Sequence, residues 1–307
     1  MDKYAIETVN LTKEYHGRIV ADGINLHVPK GKIYALLGRN GAGKTTTMKM
    51  LLRLIRPTDG SIYLFGENCS RFGKGNYHRI GSVIEAPAFY ENLTAKENLE
   101  ILARLRGMHR RDTIENALFA VHLDKEDKKL FREYSLGMKQ RLGLAAAVMH
   151  EPELLILDEP MNGLDPIGIH ETRAYLLQLC REKGTTIFVS SHVLNEVEQL
   201  ADVIGVINKG KLLEETNLQE LYRQRRRYAE FEVSDVNRAA FVLERRFRIS
   251  DYAIIGNNIL RLYEKIDSRA QINSGLVAEG IFVGKVCVES GKLEEYFTEL
   301  VGGDTIG

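Results

Sequence analysis

The chain has 307 residues with 42 basic and 42 acidic side chains, so its formal net charge is +0. Hydrophobic residues make up 44% and charged residues 27%, as in ordinary globular proteins, and the length predicts about two domains. Zero net charge argues against a dedicated nucleic-acid-binding protein, which carries a basic excess. Cys69, Cys180 and Cys287 are too far apart for a disulfide framework or a thiolate zinc site, which fits a reducing cytosol.

The sequence contains no pattern typical of membrane insertion. The first residues carry charges every few positions and lack the apolar centre of a signal peptide. The longest apolar stretch, residues 142–149, is far shorter than the roughly 20 residues that cross a bilayer. We therefore expect a cytoplasmic protein that does not span a membrane by itself, although it can bind to the surface of one.

The N-terminal part begins with short apolar groups that predict a β-rich region, closed by a turn signal at Pro29-Lys30-Gly31. A buried-strand pattern at 32–37, a glycine-rich stretch and a helical pattern at 45–54 follow. This succession is typical of the start of an α/β unit. The middle, from about 90 to 150, is helical, and Thr94 and Glu97 match a capping box at its first helix.

The α/β pattern returns with apolar runs at 154–157, 185–189 and 203–207, which predict strands covered on both faces. The basic stretch Arg223–Arg227 marks a boundary, which predicts domains at 1–222 and 223–307. Beyond it the patterns predict the order β-α-β-β-α-β-α, with a hairpin turn at Gly256-Asn257-Asn258. This order is that of a ferredoxin-like domain.

A phosphate-binding motif follows the strand at 32–37. The residues that match G-x-x-x-x-G-K-[ST] are Gly38, Arg39, Asn40, Gly41, Ala42, Gly43, Lys44 and Thr45. Glycines let successive backbone N–H groups point at phosphate oxygens, and the following helix directs its positive end at the same anion. Lys44 is expected to reach the β- and γ-phosphates and Thr45 to bind Mg²⁺, with Thr46 next to them. The alternative, an ordinary turn between strand and helix, does not explain this complete match.

Two carboxylates, Asp158 and Glu159, end the apolar strand at 154–157. Beside a phosphate loop, such a strand end is where Mg²⁺ needs a second protein ligand, and Asp158 is the candidate. Glu159 is placed to polarise an attacking water. Without the phosphate loop, a solvated strand end would be the simpler interpretation.

The stretch Tyr134-Ser135-Leu136-Gly137-Met138-Lys139-Gln140-Arg141 resembles the signature L-S-G-G-Q-x-Q-R of ABC-type ATPases. Asn162-Gly163-Leu164-Asp165 is similar to the D-loop of that family, His192 to its switch histidine, and Tyr15 to its adenine-stacking aromatic residue. The match runs in order over about residues 4–220. The predicted fold class is therefore α/β: a P-loop core of the ABC ATPase type with an antiparallel β flank and a helical subdomain, plus a ferredoxin-like domain.

The resemblance implies the activity and the partners. Two copies would form a homodimer with two ATP molecules between them, each bound by the phosphate loop of one copy and by Ser135, Gly137 and Met138 of the other, with Asp165 nearby. Ser135 is also a natural helix N-cap, whose helix would direct its N-terminus at a triphosphate. ATP hydrolysis with Mg²⁺, with His192 touching the γ-phosphate, would drive polytopic membrane permease subunits.

The sequence departs from the family pattern in two places. The signature has Tyr134, Leu136 and Met138 where Leu, Gly and Gln are usual. Glu85 stands where most members have Gln, a variant that resembles the ATPase subunits of bacterial exporters for bacitracin and for lantibiotic immunity. A carboxylate about 4 Å from another anion costs roughly 4 kcal/mol at an effective dielectric of 20. We therefore expect Glu85 to reach the metal or its water shell, or to be partly protonated.

Some interpretations remain open. Tyr15 is either the adenine platform or a plain edge-strand aromatic, and the loop with Pro87, Phe89 and Tyr90 either receives the permease coupling helix or packs locally. The rival function is a soluble ABC ATPase acting on ribosomes or DNA, which usually has two cassettes or a coiled-coil insert. A nucleotide-gated regulator without turnover is disfavoured by the presence of Glu159 and His192.

Overall fold

The computed structural model describes residues 3–70, 74–85, 87–108, 111–126, 128–224, 227–289 and 293–301. The chain divides into two compact units, the first ending at Leu218 and the second beginning at Gln219. The basic stretch from which the sequence placed a boundary contains Arg225 and Arg226, which lie outside the described residues.

The first unit combines strands and helices in alternation. In chain order its elements are β1 (Tyr4–Tyr15), β2 (Arg18–Ile24), β3 (His27–Pro29), β4 (Ile33–Leu37), α1 (Lys44–Leu51), β5 (Asp59–Leu64), β6 (Glu67–Asn68), β7 (Ile80–Val83), α2 (Ala95–Leu105), α3 (Arg111–Ala120), α4 (Leu136–Val148), β8 (Leu154–Asp158), α5 (Pro166–Lys183), β9 (Thr186–Ser191), α6 (Leu194–Leu200), β10 (Val203–Asn208) and β11 (Lys211–Asn217).

The central sheet has the strand order β11-β10-β4-β9-β8-β7, and every pair except β11 with β10 is parallel. Strands β4, β8 and β9 are buried along their whole length, as their continuous apolar runs predicted. Because parallel strands end at the same edge, the segments that follow β4, β7, β8 and β9 meet there.

A second sheet forms the predicted antiparallel flank. Its strand order is β2-β1-β5-β6, and β3 also pairs with β1. The ladders of β1 with β2, β3 and β5 are all antiparallel. Inward side chains such as Ile6, Leu26 and Leu64 join the same core cluster as Leu36 and Met48 of the central layer, so both sheets enclose one core.

The helices follow the sequence patterns with small shifts at their ends. Helix α1 ends at Leu51, before the predicted end at 54, because Arg53 adopts a left-handed backbone with φ 56°. The capping box at Thr94 is confirmed, since its side chain accepts from Glu97 N and Glu97 in turn bonds Thr94 N. Helices α2, α3 and α4 form the predicted helical region.

The second unit has the predicted element order. Its elements are α7 (Leu218–Gln224), which begins in the first unit, β12 (Tyr228–Val233), α8 (Val236–Val242), β13 (Tyr252–Ile255), β14 (Ile259–Leu262), α9 (Arg269–Ala278), β15 (Val283–Glu289) and α10 (Leu293–Val301). The sheet order β13-β14-β12-β15, antiparallel throughout, is ferredoxin-like. Its core includes Phe231, Leu260 and Leu276.

None of the helices in the described parts of the chain combines the length and the apolar character that a bilayer crossing requires.

Candidate active site

The phosphate loop connects β4 to α1, as predicted. Gly43 is the residue before α1 and has φ 110°, a backbone that side chains rarely adopt. A Cβ at this position would lie 2.6 Å from the carbonyl oxygen of Val20, so β2 lies directly against the loop. Ala42 is also buried and accepts a hydrogen bond from Gly210 N at 2.9 Å through its carbonyl. The remaining loop residues are Gly38, Arg39, Asn40 and Gly41, and Thr46 lies in the first turn of α1.

Lys44 is a buried cation at the start of α1, with only 5% of its surface exposed. Its ammonium donates to the carbonyl oxygens of Gly38 at 2.7 Å and Arg39 at 3.2 Å, and lies 3.3 Å from Glu159 Oε1. A buried ammonium needs such partners, because burial of an unpaired charge is costly. These contacts hold Lys44 under the loop, where a phosphate group would meet it.

Asp158, the last residue of β8, is the centre of a hydrogen-bond network. Thr45 Oγ1 donates to its Oδ2 at 2.8 Å, and Ser190 Oγ donates to its Oδ1 at 2.6 Å. Ser190 Oγ also accepts from Glu159 N at 2.9 Å. Thr45 and Asp158 therefore present adjacent oxygen atoms, which is the kind of donor pair that the magnesium hypothesis requires. Ser190 was not predicted as a site residue. It lies beside Asp158 because β9 pairs with β8, and the order of strands in the sheet is not visible in the sequence.

Glu159 lies between two cationic or titratable side chains. Its Oε2 is 3.0 Å from His192 Nδ1, and its Oε1 faces Lys44. Its backbone has φ 46°, which turns the chain sharply after β8. The structure therefore brings together Lys44, Thr45, Asp158, Glu159 and His192 at the ends of three neighbouring strands.

A turn after β9 holds His192. Ser191 Oγ accepts from Val193 N at 3.0 Å and lies 3.1 Å from Glu196 Oε2. Burial raises the pKa of Glu196 above its ordinary value. This turn fixes the backbone on both sides of the histidine.

Glu85 follows β7 and forms an ion pair with Lys49 of α1, at 2.5 Å between Oε1 and Nζ. The expected compensation for this carboxylate was a metal or a proton, whereas the structure places the Lys49 ammonium against it. The signal was available, since Lys49 comes four residues after Thr45 and therefore shares its face of α1.

Tyr15 lies at the end of β1, where it pairs with Arg18 across the β1–β2 turn. Its ring is 41% exposed, and Lys13 Nζ is 4.7 Å from the ring centroid. Val20 of β2, which lies against the phosphate loop at Gly43, comes two residues after Arg18, the register partner of Tyr15.

The signature residues form a second group at the N-terminus of α4. Ser135 is the N-cap, as predicted, and its Oγ accepts from Met138 N at 3.3 Å. Leu136 packs on Gly163, where a Cβ would lie 2.4 Å from Leu136 Cδ2. Gly137 faces Leu164, whose Cδ2 would be 3.1 Å from a Cβ at Gly137. The unusual leucine of the signature is thus accommodated by a glycine in the segment before α5.

Asp165 is the N-cap of α5 and accepts from Gly168 N at 3.0 Å. The side-chain hydrogen bonds of Ser135 and Asp165 thus lie at the N-termini of their own helices. Ser135 and Asp165 thus belong to the signature group. The group beside the phosphate loop is a different one and consists of Lys44, Thr45, Asp158, Glu159 and His192.

The aromatic loop after Glu85 is tied to the segment before the signature. Phe89 stacks edge-on with Phe131, with ring centroids 5.2 Å apart, while Tyr90 is 60% exposed. Buried Asn98 accepts from Tyr90 N at 2.8 Å and donates to Tyr90 O at 3.1 Å. Pro87 packs on α4 at Gly143, while Ala86 lies outside the described residues.

Comparisons with known proteins agree with this geometry. Residues 21–162 match the family described as ABC transporter. The chain is 54% identical over 304 residues to the bacitracin transport ATP-binding protein BcrA of Enterococcus faecalis, covering 99% of this chain and 98% of that protein. It is 46% identical over 219 residues to the lantibiotic transport ATP-binding protein SrtF of Streptococcus pyogenes, covering 69% of this chain and 93% of that protein.

The fold is similar to that in the dimeric structure of a bacterial ABC transporter cassette, with a TM-score of 0.64 and 25% identity over 69% of this chain and 98% of the other. The site and the fold define an ATP-binding P-loop protein. The chain belongs to the ATP-binding subunits of ABC transporters, and it is an ATPase of that family.

Proposed function

We propose that this chain powers a membrane exporter of antimicrobial peptides, of the bacitracin or lantibiotic kind, through ATP-driven dimerisation. The observation that carries the proposal is the 54% identity to the bacitracin transport protein along 99% of the chain, including the C-terminal domain. Glu85 supports it as well, because a glutamate at this position resembles the ATPase subunits of bacterial exporters for bacitracin and for lantibiotic immunity.

The phosphate loop would bind the triphosphate of ATP. The backbone N–H groups from Gly38 to Gly43, with Thr46, would surround its oxygens, and Lys44 would contact the β- and γ-phosphates. The three N–H donors of the Lys44 ammonium now face Gly38 O, Arg39 O and Glu159 Oε1, so Lys44 would exchange part of these contacts for phosphate oxygens when the anion binds. Tyr15 would stack on the adenine, a contact worth about 1–3 kcal/mol.

The donor set beside the loop fits Mg²⁺. Thr45 Oγ1 and Asp158 Oδ2 lie 2.8 Å apart, and hydroxyl and carboxylate oxygens are the ligands that this cation accepts. When bound, Mg²⁺ would neutralise charge on the β- and γ-phosphates. Glu85 is a further candidate ligand, direct or through water, once its contact with Lys49 is released.

Glu159 would orient or deprotonate the attacking water, and His192 would contact the γ-phosphate. The 3.0 Å contact between their side chains supports this pairing, because it keeps the carboxylate oriented before ATP arrives. Lys44 and the loop amides would stabilise the charge that develops on the transferred phosphoryl group.

The homodimer would place Ser135, Gly137, Met138 and Asp165 of one copy against the ATP of the other. Helix α4 offers its N-terminus for this contact. Polytopic permease subunits would dock at the loop with Phe89 and Tyr90, which would hold the chain on the inner face of the cell membrane. We assign no nucleic-acid partner.

The proposal is tested by expressing the chain with its neighbouring membrane proteins in a peptide-sensitive host. We expect tolerance to bacitracin or to a lantibiotic to rise, and to disappear in a Lys44→Ala variant that cannot bind ATP. Co-purification of a polytopic membrane protein would support the exporter. Co-sedimentation with ribosomes, together with unchanged peptide sensitivity, would favour the soluble ATPase instead.

A further inference from the structure

Glu85 and Glu159 occupy equivalent positions at the ends of neighbouring strands. In the parallel pair β7–β8, Val83 is the register partner of Leu157, and each glutamate follows two residues later. Both have left-handed backbones, with φ 59° at Glu85 and 46° at Glu159. The sheet therefore presents both carboxylates at the edge where the phosphate loop lies.

Each of these carboxylates contacts a lysine of α1. Lys44 Nζ lies 3.3 Å from Glu159 Oε1, and Lys49 Nζ lies 2.5 Å from Glu85 Oε1. Lys49 is one helical turn beyond Thr45, so the two side chains are neighbours on one face of α1, with about 5–6 Å between Cβ atoms. The Glu85–Lys49 pair is consequently next to the residue that would bind Mg²⁺.

The pair contributes little to folding, since the Glu85 side chain is 62% exposed and surface ion pairs add little stability. Its effect on the site is different. An unpaired carboxylate at this edge would repel the triphosphate, and Lys49 is the cation that the structure places against it.

We propose that Lys49 is a positioning residue for Glu85: it compensates the charge of Glu85 beside the phosphate loop, so that the loop can bind a triphosphate with a carboxylate at the position where Gln is usual. The proposal rests on the proposed function of the loop in ATP binding. It makes Lys49 necessary for affinity only while residue 85 is negative.

The test is equilibrium binding of ATP to the purified full chain in EDTA, by competition with a fluorescent ATP analogue. Lys49→Gln is expected to raise the Kd about five- to tenfold, because one negative charge loses its partner next to the anion. Combining Lys49→Gln with Glu85→Gln is expected to bring the Kd within about twofold of that of Glu85→Gln alone. The difference in Kd between Lys49→Gln and the parent should also become smaller at high salt.

Lys183→Gln is the matched control. Lys183 and Glu151 form an exposed ion pair, with 3.0 Å between Nζ and Oε1, that is not part of the phosphate loop. The Kd of this variant for ATP should equal that of the parent. Lys49→Arg keeps the charge and serves if Lys49→Gln unfolds. The proposal is overturned if Lys49→Gln binds ATP as the parent does, if the double variant is not rescued, or if a folded Lys49→Arg loses as much as Lys49→Gln. A parent chain that binds no ATP either in EDTA or with Mg²⁺ present would instead refute the proposed function.

Discussion

The first unit contains two groups of site residues that are built differently. We call the group around the phosphate loop, with Lys44 and Asp158, the phosphate side, and the group at the N-terminus of α4, with Ser135 and Leu136, the signature side. On the phosphate side, Lys44 and Asp158 are 5% and 7% exposed and are held by side-chain contacts from several elements. On the signature side, Leu136 is 57% exposed and the Ser135 hydroxyl caps its own helix. The first group is assembled within one chain, whereas the second presents a helix N-terminus outward.

This difference indicates which steps one chain can perform. A preorganised phosphate side should bind ATP in a single copy, because its donors are already oriented. The signature side should matter only when it meets the nucleotide of a second copy. Binding and turnover should therefore respond separately to substitutions on the two sides.

The strongest test on the phosphate side is Glu159→Gln. The amide keeps the size of the side chain but cannot accept a proton from water, so turnover should fall at least about 100-fold while ATP still binds. Steady-state ATP hydrolysis and the Kd for ATP are the two measurements. Near-normal turnover of this variant would overturn the assignment of Glu159.

The contacts among α2, the C-terminal end of α4 and β7 are expected to weaken in acid. Arg106, at the end of α2, contacts His150 Nδ1, and His150 Nε2 donates to Ile80 O of β7 at 3.1 Å. Burial and the Arg106 charge lower the pKa of His150 to about 4 from 6.5. Between these values the unfolded chain binds the proton and the folded chain does not, so stability falls as the pH falls.

From pH 7 to pH 5 this histidine should cost at most about 2 kcal/mol of unfolding free energy, because solvent screens the part of the ring that stays exposed. Urea unfolding at several pH values measures the loss. Since Gln does not titrate, His150→Gln should lose less stability than the parent over the same range. Parallel curves for parent and variant would show that His150 is not the responsible group.

On the signature side, the Ser135→Asp variant distinguishes the role of Ser135 as a helix cap from its proposed contact with the nucleotide of a second copy. Aspartate caps helices as well as serine does, so the thermal unfolding temperature should change little. Its charge would face the triphosphate of the second copy, and turnover should fall about tenfold while ATP binding to one chain is kept. Turnover equal to that of the parent would argue against a shared site.

The features that could be predicted from the sequence are those set by neighbouring residues. The phosphate loop, the capping box at Thr94, the cap at Ser135 and the hairpin turn at Gly256 each depend on a few adjacent positions. The ferredoxin-like order of elements could also be predicted, because each strand and helix has its own hydrophobic pattern and the connections between them are short.

The features that were missed depend on which elements pack together. Ser190 reaches Asp158 only because β9 lies next to β8, and His150 meets Arg106 only because α2 and α4 converge. No local pattern encodes either pairing. Lys49 is an intermediate case, since helical spacing is enough to predict the face of α1 on which it lies but not the strand end that it contacts.

The smallest expected effect is that of Glu85→Gln, which restores the residue usual in the family. Because Glu85 is exposed and already paired with Lys49, its replacement should lower turnover by no more than about threefold, a free-energy difference below about 1 kcal/mol. Hydrolysis measured over a range of Mg²⁺ concentrations should show a weaker metal dependence in the variant if Glu85 reaches the metal or its water. A loss of hydrolysis as complete as that of Glu159→Gln would instead make Glu85 indispensable to the chemistry and would remove the distinction between the two carboxylates.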